Sequence, residues 1–131
     1  MLHLQPSDRL FISEDLTGFS DKIVNQGTLS RRIDLVFLGF SYAVNNRLEP
    51  AEDYKRHQLI QVASIDSDTL LALESVAHWY AKELQLDGID NEASLLEFIC
   101  ALGINGVRAL RDRWKNKSKS QIQFDILSIV R

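Results

Sequence analysis

Hydrophobic residues recur every three to four positions along most of the chain, which predicts a mainly α-helical fold of about four helices. The pattern predicts a first helix from about residue 15 to 27 and a second that contains residues 31–44. A third helix follows over 68–86, with Asp87-Gly88 as its stop, and a fourth over 92–115. Thr28 or Ser30 would cap the second helix, Asp66 and Ser67 begin the third, and Asn91 would cap the fourth.

Three segments do not follow the helical period. Arg9–Ser13 alternates in polarity and predicts a short N-terminal strand. Residues 51–65 are ambiguous, with a short extended piece around Leu59–Val62. The tail alternates at Ile122, Phe124 and Ile126, which suits either a last strand or a docked helical turn, and both alternatives stay open.

The second helix carries apolar residues on two sides. One face, within about 120° on a helical wheel, consists of Ile33, Val36, Phe37, Phe40, Ala43 and Val44. Leu35, Leu38 and Tyr42 form a second face. Either the helix is central and fully buried, or this second face binds another subunit. We expect self-association into a homo-oligomer through Leu35, Leu38 and Tyr42.

Two glycines lie on or near the apolar stripe of the fourth helix. Glycine inside a helix costs about 1 kcal/mol relative to alanine. Gly103 and Gly106 therefore predict that another backbone packs closely against this helix.

Length and composition indicate one domain over residues 1–131. The single cysteine excludes an intrachain disulfide. The N-terminus lacks the basic start and apolar core of a secretory signal, and no run approaches the roughly 20 apolar residues of a membrane span. We expect a cytoplasmic protein with no membrane partner.

The sequence offers little catalytic chemistry, so we expect a protein that is not an enzyme and uses no cofactor or metal. His3, His57 and His78 are scattered, and His78 is best interpreted as a flank residue beside Glu74. Cys100 lies in an apolar stretch and is interpreted as a core residue. No phosphate-cradling glycine loop or nucleophile elbow is present.

Charge is unevenly distributed along the chain. Residues 61–107 hold one Lys or Arg against eight Asp or Glu, whereas residues 108–131 hold seven against two. The candidate nucleic-acid-binding residues are Arg9, Lys22, Arg31, Arg32, Arg108, Arg111, Lys115, Lys117 and Lys119. Those from Arg108 onward form a basic ridge that would follow phosphates, or alternatively a solvated helix end. Arg31 and Arg32 would grip a phosphate, or instead pair with Asp21 or Asp34.

A short strand in RLFIS, a short helix, NQGT and a long apolar helix resemble the order of elements in ribbon-helix-helix DNA-binding proteins. In that family, paired strands from two chains enter the major groove. The resemblance implies a ribbon-helix-helix-like variant of the fold in which Arg9, Phe11 and Ser13 face outward.

The wider layout resembles the DndE family of DNA phosphorothioation proteins. The segments that carry the resemblance are RLFISEDL, GTLSRRIDLVFLGFSYAV, KRHQLI, a long middle helix and GINGVRALRDRW. It implies a non-catalytic, oligomeric subunit of a DNA-modification or defence system that binds the backbone of double-stranded DNA. The alternative is a scaffold subunit of a multiprotein complex without nucleic-acid affinity, in which the acidic middle and basic end pair between chains. An exposed Trp79 would belong to a contact surface, or would pack on the tail or a loop.

Overall fold

Five helices and a two-stranded antiparallel sheet make up the computed structural model, which describes residues 1–86 and 89–130. In chain order the elements are β1 (Arg9–Ser13), α1 (Thr17–Asn25), α2 (Arg32–Asn45), β2 (Arg56–Gln61), α3 (Ser67–Glu83), α4 (Glu92–Arg113) and α5 (Lys119–Ile129). These helices, with two short 3₁₀ helices at Glu14–Leu16 and Val62–Ser64, account for 62% of the described residues. The mainly helical class is therefore confirmed, and the tail is a fifth helix. The predicted helix stop at Asp87-Gly88 lies outside the described residues.

Side-chain caps lie at the starts of α3 and α4. The Asp66 carboxylate accepts a hydrogen bond from the Thr69 N–H at 3.1 Å, and the Asn91 side chain accepts from the Ser94 N–H at 2.9 Å. These capping predictions are confirmed. The prediction for α2 is wrong, because its N-cap residue is Arg31, whose own N–H donates to the Asp34 carboxylate at 3.1 Å.

Glycines let α2 and α4 pack backbone against backbone at the centre of the fold. A Cβ atom built on Gly106 would lie 1.7 Å from the carbonyl oxygen of Gly39, and one built on Gly39 would lie 2.7 Å from that of Gly103. No side chain fits at such distances. The predicted close approach at Gly103 and Gly106 is confirmed, and α2 is the helix that makes it.

The second apolar face of α2 is covered by the chain itself. Leu35 is fully buried and Leu38 is 7% exposed, while Tyr42 is partly buried with the Arg113 guanidinium 6.0 Å from its ring centre. The prediction that Leu35 and Leu38 form an oligomer interface is therefore wrong, because a single chain already buries them. Of the two explanations for this helix, the buried central helix is the one observed.

β1 is buried on both faces. Leu10, Phe11, Ile12 and Ser13 are each at most 1% exposed, because β1 pairs with β2 of the same chain and also contacts α4. The Phe11 ring stacks on Tyr54 at 5.8 Å between ring centres and lies 4.3 Å from the Arg56 guanidinium carbon. The expectation that Phe11 and Ser13 face outward is therefore wrong, and only Arg9 is exposed.

α3 holds the N-terminal residues against the domain. The buried Glu74 carboxylate accepts a hydrogen bond from the Leu4 N–H and contacts the His3 ring nitrogen at 3.1 Å. The His78 ring contacts the Leu2 carbonyl oxygen at 3.2 Å. Glu74 and His78, four residues apart on α3, thus have a structural role in positioning residues 2–4.

α4 is the core helix of the fold. Among the described residues it is the one helix whose length and apolar composition would suffice to cross a membrane. Most of that stretch is buried inside the domain, as expected for a central helix.

Candidate nucleic-acid interface

The arginines of the predicted basic ridge are paired with a carboxylate of the same chain. Arg108 binds both carboxylate oxygens of Asp15, at 2.9 and 3.1 Å, and Arg111 approaches the same group at 3.5 Å. The hydrogen bond from Arg108 is the main cause that lowers the pKa of Asp15 to about 2. These two arginines therefore tie α4 to the turn that precedes α1.

The remaining arginines near this surface have similar partners. Their closest pairs are Arg31 with Asp34 at 3.0 Å, Arg32 with Asp21 at 2.5 Å, and Arg113 with both oxygens of Asp125 at 2.7 Å. The predicted alternative for Arg31 and Arg32, pairing with Asp34 and Asp21, is the arrangement observed. Arg9 lies apart on β1 and donates to the Leu59 carbonyl oxygen.

Four lysines of the predicted site behave differently from the arginines. Lys22, Lys115, Lys117 and Lys119 are exposed, and within residues 1–86 and 89–130 none of them takes part in an ion pair. We call these four residues the lysine cluster. No carboxylate of the described residues lies within ion-pairing distance of these four amino groups, so they can bind an anion.

Aromatic contacts bring the lysine cluster to one end of the domain. The Phe19 ring of α1 lies 6.2 Å from the Trp114 ring, which directly precedes Lys115. Lys22 follows Phe19 by three residues and so projects from the same side of α1. The Lys119 amino group lies 3.3 Å from the position of a Cβ built on Gly27, just after α1. The end of α1, the end of α4 and the start of α5 therefore meet here.

Asp125 anchors α5 to this end of the domain. Its carboxylate accepts hydrogen bonds from Arg113 and, at 2.7 Å, from the indole N–H of Trp114, and its side chain is 12% exposed. The bond from Arg113 is the main cause that holds the pKa of Asp125 well below its usual range. The Ser118 hydroxyl and the Gln121 side chain also cap the start of α5 reciprocally.

The sequence pattern missed one exposed feature of α5. Phe124 is 77% exposed and lines a groove of about 480 Å³ with Lys117, Ser120, Gln121, Asp125 and Ser128. The alternation of Ile122, Phe124 and Ile126 suggested a shared strand face, whereas on a helix Phe124 points almost opposite to Ile122. The basic residues just before α5 were the available signal for this site.

The cysteine and the carboxylate that could suggest catalysis both have structural roles in the fold. Cys100 is fully buried, and burial raises the pKa of its thiol to about 12, so it is a core residue as predicted. The Glu97 carboxylate accepts from Tyr54 and Arg56, which braces the loop before β2 against α4. Across the described part of the chain, no group of three or more His, Cys, Asp or Glu side chains is arranged to hold a metal ion.

Comparison of this chain with models of known protein families, with curated protein sequences and with solved structures finds no match to any of them.

Proposed function

We propose that this protein is a non-catalytic nucleic-acid-binding subunit that contacts the phosphate backbone through the lysine cluster. The observation that supports the proposal is a difference in the partners of the arginines and the lysines. The arginines of this region form ion pairs within the chain, whereas none of the four exposed lysines does so in the described residues. Lysine binds phosphate as a point charge and requires no particular base, so the binding is expected to be largely independent of sequence.

Fluorescence anisotropy with a labelled duplex over a salt series tests this proposal. Four phosphate contacts would give a slope of log K against log salt of about −3.6 for a duplex. The double substitution Lys117→Ala and Lys119→Ala should reduce the magnitude of that slope by about 1.8.

The chain offers a matched control for this experiment. Lys55 and Lys82 are its other two lysines, both exposed and both outside the cluster. The double substitution Lys55→Ala and Lys82→Ala changes the net charge equally but should leave the slope unchanged. Equal effects of the two double variants would mean that net charge, rather than the lysine cluster, governs binding, and would contradict the proposal.

Exposed apolar side chains favour a second candidate function, a scaffold subunit that binds other proteins. Leu71 and Trp79 are each about half exposed on α3, and Leu127 and Val130 are more than half exposed at the C-terminal end. Apolar surface of this kind is typical of protein contacts when it is contiguous. Light scattering at low and high salt would test this candidate, because an assembly held by apolar contacts should persist as salt rises, whereas one held by charge should dissociate.

A role in DNA phosphorothioation or defence rests on the DndE-like sequence resemblance alone. Neighbouring genes for sulfur-transfer enzymes would support it, and their absence would count against it. Self-association also stays a prediction, and it would need a surface other than the buried Leu35 and Leu38.

A further inference from the structure

Phe124 is the most exposed large hydrophobic side chain in the described residues, at 77%. Its helix is nevertheless well anchored, since Ile122 is 2% exposed on the opposite face. The next residue, Asp125, is held by Arg113 and Trp114. The aromatic ring is thus presented to solvent from a rigid element at a fixed place in the fold.

The groove beside this ring combines three kinds of chemistry. Phe124 supplies a flat apolar surface and Lys117 a positive charge, while Ser120, Gln121 and Ser128 supply hydrogen-bonding groups. Asp125 is the one carboxylate in the lining, and its charge is compensated by Arg113. A ligand that fits all three has a planar apolar face with a polar edge and carries an anionic group. A nucleotide has this combination.

We infer that Phe124 is a stacking platform for an unpaired base, so that the lysine cluster binds a single-stranded nucleic acid. The inference rests on the proposed function and names its substrate class. Bases inside a duplex are covered on both faces by their neighbours, so only an unpaired base can offer a face to the ring. Exposed aromatic rings beside cationic side chains are the usual means of binding single strands without sequence preference.

The shape of the groove favours this occupant over an apolar partner. A protein helix or a lipid surface would cover the whole apolar edge of α5, which includes Leu127 and Val130. Those two residues do not line the groove, and each residue that lines it beside Phe124 carries a charged or hydrogen-bonding group. The lysine at the groove, with Lys115 and Lys119 close by in sequence, provides the positive charge that a phosphate backbone requires.

Anisotropy measurements with the full chain test the inference directly. The probes are labelled oligodeoxyuridylate and oligouridylate strands of about 12 nucleotides, which differ only in the 2′-hydroxyl, and a DNA hairpin whose loop is an ethylene glycol linker, so that it has no unpaired bases. Phe124→Ala should weaken single-strand binding roughly 5- to 150-fold and leave hairpin binding unchanged, while Phe124→Trp should preserve both. Comparison of the two strands shows whether the 2′-hydroxyl matters. Leu127→Ala is the matched control, because it removes exposed apolar surface from the same helix.

A second readout is specific for contact with the ring. Irradiation of a strand that contains 5-iodouracil should crosslink it to the peptide that carries Phe124, as identified by mass spectrometry. Equal weakening by Phe124→Ala and Leu127→Ala would overturn the inference in favour of a general apolar contact.

The remaining outcomes separate the inference from the proposed function. If Phe124→Ala has no effect while Lys117→Ala with Lys119→Ala weakens binding, phosphate contact stands and base stacking is refuted. If the unsubstituted chain binds neither strand nor hairpin at low salt, the proposed function and the inference both fail.

Discussion

Substitution of Gly106 by alanine tests the central packing of α2 against α4. The new Cβ would lie 1.7 Å from the Gly39 carbonyl oxygen, whereas ordinary van der Waals contact begins at 3.4 Å. The atom that it meets belongs to the backbone and cannot rotate away, so the two helices must separate by about half of that ordinary distance. Separation by even 0.5–1 Å forfeits about a quarter to a half of the dispersion energy of each contact.

The expected loss of stability is the cost of the backbone clash minus the gain in helix propensity. Overpacking a core usually costs about 1–3 kcal/mol, and a clash between backbones belongs at or above the upper end of that range, about 4 kcal/mol. Alanine recovers about 1 kcal/mol of helix propensity relative to glycine. We therefore expect Gly106→Ala to lower the free energy of unfolding by about 3 kcal/mol, which corresponds to a decrease in Tm on the order of 10 °C.

Urea unfolding monitored by circular dichroism and tryptophan fluorescence would measure this loss. Gly18→Ala is the matched control, because no atom lies within 4 Å of a Cβ built on this glycine of α1. That substitution should be neutral or stabilise the protein by up to about 1 kcal/mol. If Gly106→Ala proves as stable as the unsubstituted chain, the close helix crossing described here is wrong.

Three further predictions concern charge, burial and reactivity. The folded-state pKa of Asp15 is about 2, below its ordinary value of 3.8. Its ion pairs therefore contribute stability above pH 4 that is lost as the pH falls from about 4 to 2. Asp15→Asn should flatten that part of an acid-unfolding curve, and an unchanged curve would refute the assignment. Glu74→Ala leaves the Leu4 N–H without its acceptor and should lower the free energy of unfolding, measured by chemical denaturation, by about 1–3 kcal/mol. Amide hydrogen exchange over residues 2–4 should also become faster. Cys100 should react with a thiol reagent only after denaturant is added, because it is fully buried; rapid reaction in native buffer would contradict its burial.

Local patterns were enough to predict four of the five α-helices that the structure describes, and long-range contacts decided the rest. Helical spacing located α1 to α4, and the paired glycines predicted a close crossing without revealing Gly39 as the partner. Alternation placed β1 correctly, but the assumption that one strand face meets solvent failed because β1 is covered on both sides.

The candidate site was only partly predictable for the same reason. Cations are visible in a sequence, but the carboxylate that neutralises Arg108 stands 93 residues earlier. The lysines were distinguished from the arginines only by the fold. The exposure of Phe124 was hidden because a short alternating segment suits a strand and a helix equally well.

The position of β1 has a consequence for the order in which the chain folds during synthesis. Its partner strand begins at Arg56, and the helix that covers its other side, α4, begins at Glu92. Because a protein is synthesised from its N-terminus, the apolar residues of β1 stay exposed to solvent until most of the polypeptide has left the ribosome. Contacts between residues this distant in sequence form slowly. While β1 is exposed, a nascent chain relies on chaperones to avoid aggregation.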